Sequence, residues 1–344
     1  FIETLSAFFK REYGWDIGPE NIAITNGSQS AFFFLFNMFS GTFSQPGKEP
    51  LKKTVVFPLV PEYVGYADQG IEKDTFVGIP AKCVYYPDNT FKYFIDFDAL
   101  ETYLEKHREV GAMCVSRPTN PTGNVLTNDE IRHLSALAYK YNIPLFVDNA
   151  YGLPFPNIIF TEDAKPYWDS SVILSMSLSK IGLPSLRTGI VVAKPELIKA
   201  LASVNSIVAL ASGSLGQVIS QDLFATGKMK TLAESYVRPF YQQKSLFAQS
   251  CFKEYFAGTN YSVHKSEGAI FNWILMNDLK IPTKELYVKL KDQGVITVPG
   301  EYFFFGTPEH EHYDKCLRIN YSRPEDEVRE GIRIIAETYK KFCK

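Results

Sequence analysis

Hydrophobic positions along the chain switch between a period near 3.6 and short unbroken runs, which predicts helices alternating with buried strands. Leu5, Phe8 and Phe9 share one face of a first helix that ends near Gly14. Residues 21–25 predict a short strand, followed at once by Asn26-Gly27-Ser28-Gln29 and a helix striped by Phe32, Leu35, Phe36 and Phe39. Residues 54–57 form an apolar run ended by Pro58, which predicts a buried strand. Runs at residues 113–116, 144–147, 172–176 and 189–193 predict four more. Thr127-Asn128-Asp129-Glu130 is a capping box that opens a helix carrying Ile131, Leu134, Leu137, Ala138 and Tyr141 on one face. Unbroken apolar strands between amphipathic helices imply an α/β fold, with a mostly parallel sheet covered by helices on both faces. Beyond about residue 240 the order changes. A long helix with Leu246, Phe247 and Phe252 leads to strands near residues 270–275 and 317–321, then a last helix with Val328, Ile332, Ile335 and Tyr339. These predict a smaller C-terminal α+β domain over residues 236–344, after a large domain over residues 1–235.

The chain has 344 residues, room for roughly two domains. Lys and Arg number 36 against 38 Asp and Glu, with no long single-sign run, which argues against a nucleic-acid partner. The longest apolar block, residues 31–39, is about half the ~20 residues a membrane helix needs, so no membrane partner is expected. Five scattered cysteines without a C-x-x-C pair fit reduced thiols in a cytoplasmic protein. His310-Glu311-His312 lacks a third ligand and reads as a polar loop, so no metal is expected. The chain starts at Phe1 inside a helical pattern, and the expectation is that a further N-terminal segment precedes it in the native protein.

In open α/β sheets function collects just past the carboxyl ends of strands. Asn120, Asp148 and the run Ser177-Leu178-Ser179-Lys180 sit at three such points and could converge in one crevice. A partly desolvated Lys180 has the free amine a Schiff-base lysine needs, although a plain loop lysine has the same sequence appearance. Asp148, at the end of a buried run, needs a cation or several donors, or else caps a turn. Arg187 offers a planar fork suited to a phosphate. Gly27-Ser28-Gln29 offers backbone N–H groups at a helix start, or is simply a cap.

Taken in order, Asn-Gly-Ser-Gln, Asn120-Pro121-Thr122-Gly123, Asp148-Asn149-Ala150-Tyr151, Ser177-Leu178-Ser179-Lys180 with Arg187, and Arg318-Ile319-Asn320 resemble the fold-type I pyridoxal-phosphate aminotransferases of class I/II. The resemblance spans essentially the whole chain, and residues 25–33 and 177–184 look like the valine–pyruvate branch. It implies that Lys180 binds pyridoxal 5'-phosphate covalently and then acts as the base. Asp148 would keep the pyridine nitrogen protonated, while Asn120 and Tyr151 hold the phenolic oxygen. Lys180, Asp148 and Tyr151 would be the catalytic residues. Gly27, Ser28, Gln29, Ser177, Ser179 and Arg187 would cradle the phosphate, and Tyr63 would stack on the ring. Arg318 would grip the substrate α-carboxylate, with Asn120 beside it. The resemblance also implies a homodimer with shared active sites, acting on amino acids and 2-oxo acids. The expected reaction turns L-valine and pyruvate into 3-methyl-2-oxobutanoate and L-alanine. The alternatives are another enzyme of this fold, such as an aminotransferase of different specificity or a carbon–sulfur lyase, and a non-catalytic cofactor-binding regulatory module. A dinucleotide enzyme is disfavoured, since no G-x-G-x-x-G follows the first strand.

Overall fold

The computed structural model describes residues 1–344 except residues 45, 308, 309 and 344. The first helix, Ile2–Tyr13, buries Leu5, Phe8 and Phe9, and Gly14 closes it with φ 67°. That left-handed conformation is nearly free of strain only for glycine. The capping box forms as expected: Thr127 Oγ1 accepts from Glu130 N at 3.2 Å, and Glu130 Oε2 accepts from Thr127 N at 2.8 Å.

The strands, in chain order, are β1 Ile22–Thr25, β2 Gly41–Phe43, β3 Leu51–Val60, β4 Phe76–Pro80, β5 Lys82–Tyr85, β6 Thr90–Phe94 and β7 Val110–Ser116. They continue with β8 Leu145–Asp148, β9 Val172–Ser177, β10 Gly189–Val192, β11 Tyr261–His264, β12 Phe271–Met276, β13 Val298–Pro299 and β14 Cys316–Asn320. Eight of them form one sheet in the order β1-β10-β9-β8-β7-β3-β2, with β4 also paired to β3. β3, β4, β7, β8 and β9 run parallel, and β10 runs against β9 and β1. β7, β8 and β9 are buried along their whole length, as a sheet covered on both faces requires. The expected α/β architecture is therefore the one observed.

Two details differ from expectation. β3 does not stop at Pro58 but runs on to Val60. The register of β3 against β4 shifts between Phe57 and Val60, and an irregularity of that kind accommodates a residue without an N–H. The second sheet, β13-β14-β12-β11-β6-β5, takes in residues 82–94 from the first part of the chain. β6 pairs parallel with β11 there, so a division at residue 235 does not separate the two sheets.

The parallel strands place Val60, Ser116, Asp148 and Ser177 at one sheet edge. β1 runs in the same sense as β9, and in register Thr25 faces Gly189, which faces Ser177. Because β10 is reversed, its beginning lies at that edge, and the residues just before Gly189 arrive there too.

Candidate active site

A cleft of about 560 Å³ opens at this edge, between the two sheets. Ser28, Gln29, Tyr63, Asn120, Asp148, Tyr151, Ser177, Ser179, Lys180, Arg187 and Arg318 all line it. Gly27 is the one sequence-selected residue off the lining, and it lies directly beneath Arg187. Its φ is 86°, and a Cβ there would stand 2.2 Å from Arg187 Nη2. Glycine at this position is what lets the guanidinium reach the start of the helix Ser28–Phe39.

Asp148 is buried and accepts two hydrogen bonds, from Tyr66 Oη at 2.5 Å and from Ala150 N at 2.8 Å. Burial raises its pKa, and these two donors oppose the rise. Lys180 Nζ lies 5.2 Å from the centre of the Tyr151 ring. Burial, then the charges of Arg318 and Arg187, hold its ammonium below the usual lysine range. Burial also raises the Tyr151 phenol. Arg318 donates from Nη1 to Asn120 Oδ1 at 2.8 Å, and its guanidinium stands 4.4 Å from the centre of the Phe271 ring and 5.3 Å from that of Phe303. Ser177 Oγ donates to Ser179 Oγ and accepts from Ser179 N, while Ser28 Oγ donates across to the Met176 carbonyl. Gln29 Nε2 donates to the Gly65 carbonyl at 3.1 Å, tying the helix start to the Tyr63 turn.

Among the described residues, Lys180, Arg187 and Arg318 have no carboxylate partner, and Asp148 has no cation. Three cations and one carboxylate without ionic partners converge on a single cleft. The buried Asp148 and the half-buried Lys180 and Arg318 need a counter-charge or hydrogen-bond partners, whereas the exposed fork of Arg187 is open to an anion. A phosphate over Gly27 and Arg187, a protonated ring nitrogen at Asp148 and a carboxylate at Arg318 would supply partners for three of the four, with the Lys180 amine facing the same space. The residues present thus fit pyridoxal phosphate.

Sequence reasoning missed Tyr66, Glu62, Phe271 and Phe303. Glu62 is 1% exposed, between Tyr63 N at 2.7 Å, Ser116 N at 2.9 Å and Ser116 Oγ at 2.5 Å. Burial pushes its carboxyl up to about 8. The signal was available, because a lone acid directly after an apolar strand raises the same question for Glu62 as for Asp148. His310 and His312 do not gather a metal site. His312 is buried, with Tyr85 Oη 2.7 Å from Nε2 and Tyr93 Oη 2.6 Å from Nδ1. No metal-holding group of His, Cys, Asp or Glu occurs among the described residues.

Comparison with known proteins agrees with this geometry. The valine–pyruvate aminotransferase of Escherichia coli (strain K12) is 44% identical over 98% of this chain and 79% of its own length. An aromatic-amino-acid aminotransferase of Thermococcus litoralis is 27% identical over 99% of this chain and 78% of its own. The crystal structure of the valine–pyruvate aminotransferase of Salmonella typhimurium LT2 superposes with a TM-score of 0.90 at 43% identity, covering 99% of this chain and 83% of that one. The profile described as aminotransferase class I and II matches residues 1–335, so the chain belongs to that pyridoxal-phosphate-dependent family.

Proposed function

We propose that this aminotransferase moves an amino group from an aliphatic amino acid to a 2-oxo acid, with L-valine and pyruvate as the pair. The products are 3-methyl-2-oxobutanoate and L-alanine. The observation that carries the reading is the convergence of Lys180, Arg187, Arg318 and Asp148, each without an ionic partner among the described residues, on one cleft. The near-full-length similarity to valine–pyruvate aminotransferases supports the choice of substrates. Val64, Ile270 and Phe271 give the cleft apolar walls suited to an aliphatic side chain.

In this reading Arg187 and the Gly27-Ser28 helix start hold the phosphate, with Gln29, Ser177 and Ser179 beside them. Asp148 would keep the ring nitrogen protonated, Tyr63 would pack on the ring, and Asn120 and Tyr151 would hold its phenolic oxygen. Bound pyridoxal phosphate supplies an electron sink for the pair released at the substrate Cα. Arg318 grips the α-carboxylate with its planar fork, which fixes Cα within reach of Lys180. Lys180 Nζ, whose ammonium is disfavoured by burial and by the nearby Arg318 and Arg187 charges, would take the Cα proton and deliver it to C4′ of the cofactor.

A second copy would complete the cleft. Ile207, Val208, Leu210, Leu215, Val218 and Ile219 are all exposed on the neighbouring helices Pro195–Ala209 and Leu215–Ala225 and their link. An apolar face of that kind fits burial in a homodimer. A cytoplasmic setting agrees with five free cysteines, and no helix among the described residues is long and apolar enough to cross a membrane. The unit boundary falls near residue 235, with residues 82–94 belonging to the smaller unit.

The test uses the holoenzyme. Its visible absorbance band should vanish on adding L-valine and return on adding pyruvate. A persistent band with ammonia release would point to lyase chemistry. The absence of any band would remove Lys180 from its role.

A further inference from the structure

We propose that the buried Lys92–Glu267 ion pair is a positioning latch that sets the Asn120 loop and Phe271 against Arg318. Lys92 lies on β6 and Glu267 on the turn between β11 and β12. Lys92 Nζ is 2.8 Å and 2.7 Å from the two Glu267 carboxylate oxygens. Both side chains are largely buried, unlike the other Lys or Arg pairs among the described residues, each of which has a more exposed partner.

The pair grips one residue of the facing loop, Val125, through both its carbonyl and its N–H. Lys92 Nζ donates to the Val125 carbonyl at 3.4 Å, and Val125 N donates to Glu267 Oε2 at 3.1 Å. Val125 ends a loop that is closed on itself, with Thr119 N bonded to the Asn124 carbonyl and Gly123 N to the Thr119 carbonyl, each at 2.8 Å. Holding Val125 therefore holds Asn120. The Glu267 turn is fixed to residues 158–160 as well. Phe160 N donates to the Glu267 carbonyl at 2.7 Å, and Ala269 N to the Ile158 carbonyl at 2.9 Å. Gly123 and Gly268 are so close that a Cβ on Gly123 would stand 2.7 Å from the Gly268 carbonyl oxygen. Phe271 begins the strand directly after this turn. Asn120 and Phe271 are the hydrogen-bond partner and the nearer aromatic wall of Arg318, and both hang from the same turn.

Stability alone gives little reason for such a pair. Apolar replacement of both members of a buried ion pair is often neutral, whereas removal of one member is costly. What an apolar pair cannot supply is the donor and the acceptor that Val125 uses. Stability and positioning therefore separate between variants.

The inference rests on the transaminase reading, and the experiment keeps the two distinguishable. Glu267→Gln, as holoenzyme, leaves Lys92 without its counter-charge but keeps an acceptor for Val125. It should melt earlier than the native enzyme with an unchanged KM for L-valine. The double variant Lys92→Met/Glu267→Met should recover thermal stability, yet raise that KM about tenfold, with kcat unchanged. A native KM in the double variant would overturn the latch. If the native holoenzyme fails to transaminate, the functional reading falls. Hydrogen exchange over residues 119–125 then decides the latch: faster exchange in the double variant but not in Glu267→Gln supports it, and equal exchange overturns it.

Discussion

Replacing Tyr66 by Phe removes one oxygen from the floor of the cleft and leaves the rest of the packing in place. The Tyr66 ring is fully buried against Phe32, Phe36 and Phe57, at centroid distances of 5.0, 5.2 and 5.9 Å, and none of these contacts uses the hydroxyl. What is lost is the 2.5 Å hydrogen bond to Asp148 Oδ2, one of the two bonds that hold the carboxylate charged against the cost of burial. A hydrogen bond to a charged group contributes about 1.5–3 kcal/mol. At about 1.4 kcal/mol per pKa unit, the Asp148 carboxyl should rise by one to two units. An ionised Asp148 is what holds the ring proton, so the acid limb of kcat/KM should move to higher pH by about the same one to two units. The alkaline side should keep the native rate. The assay is transamination of L-valine with pyruvate across the pH range at saturating cofactor. An acid limb in the native position, or a loss equal at every pH, would refute the assignment of Tyr66 to the Asp148 charge.

Arg318→Ala should raise KM for both valine and pyruvate about a hundredfold through loss of a bidentate charged contact, with cofactor affinity intact. Steady-state kinetics and a cofactor titration check this, and equal losses in both would make Arg318 structural. Gly27→Ala places a methyl 2.2 Å from Arg187 Nη2 and should displace the guanidinium, weakening cofactor binding about tenfold by titration. Native affinity in that variant would remove Arg187 from the phosphate. Glu62 has a folded pKa raised to about 8 from an ordinary 4.5, so its neutral form favours folding and its contribution falls away as pH climbs between those values. Glu62→Gln cannot ionise and should gain thermal stability relative to the native protein across that window, whereas parallel melting curves would refute a neutral Glu62.

The sequence made the cleft legible where chemistry sits at the end of an unbroken apolar run. Asp148 and Ser177 close strands buried along their whole length, and polar residues there stand out. β5 was invisible because it is short and mostly exposed. Its sheet membership depends on β11, far along the chain. Tyr66 escaped for a related reason. In a chain with 20 tyrosines and 27 phenylalanines an aromatic near a strand end says little by itself. Its role appears only when Asp148, on another strand, comes within hydrogen-bond reach. The cradling of Arg318 between Phe271 and Phe303 likewise joins three separate segments, which no local pattern records.

The edge pairing of β1 with β10 has a consequence for biosynthesis. β1 leaves the ribosome early, yet its neighbour in the sheet, Gly189–Val192, is made long afterwards. Until then its hydrogen-bonding edge is open to other chains, and pairings this distant along the chain form slowly. Gly27 and Ser28 follow β1 directly, and Arg187 precedes β10, so these parts of the cleft meet only when that late ladder closes. A chain truncated before Gly189 would carry an aggregation-prone edge and half a binding site, and would be a natural client for chaperones.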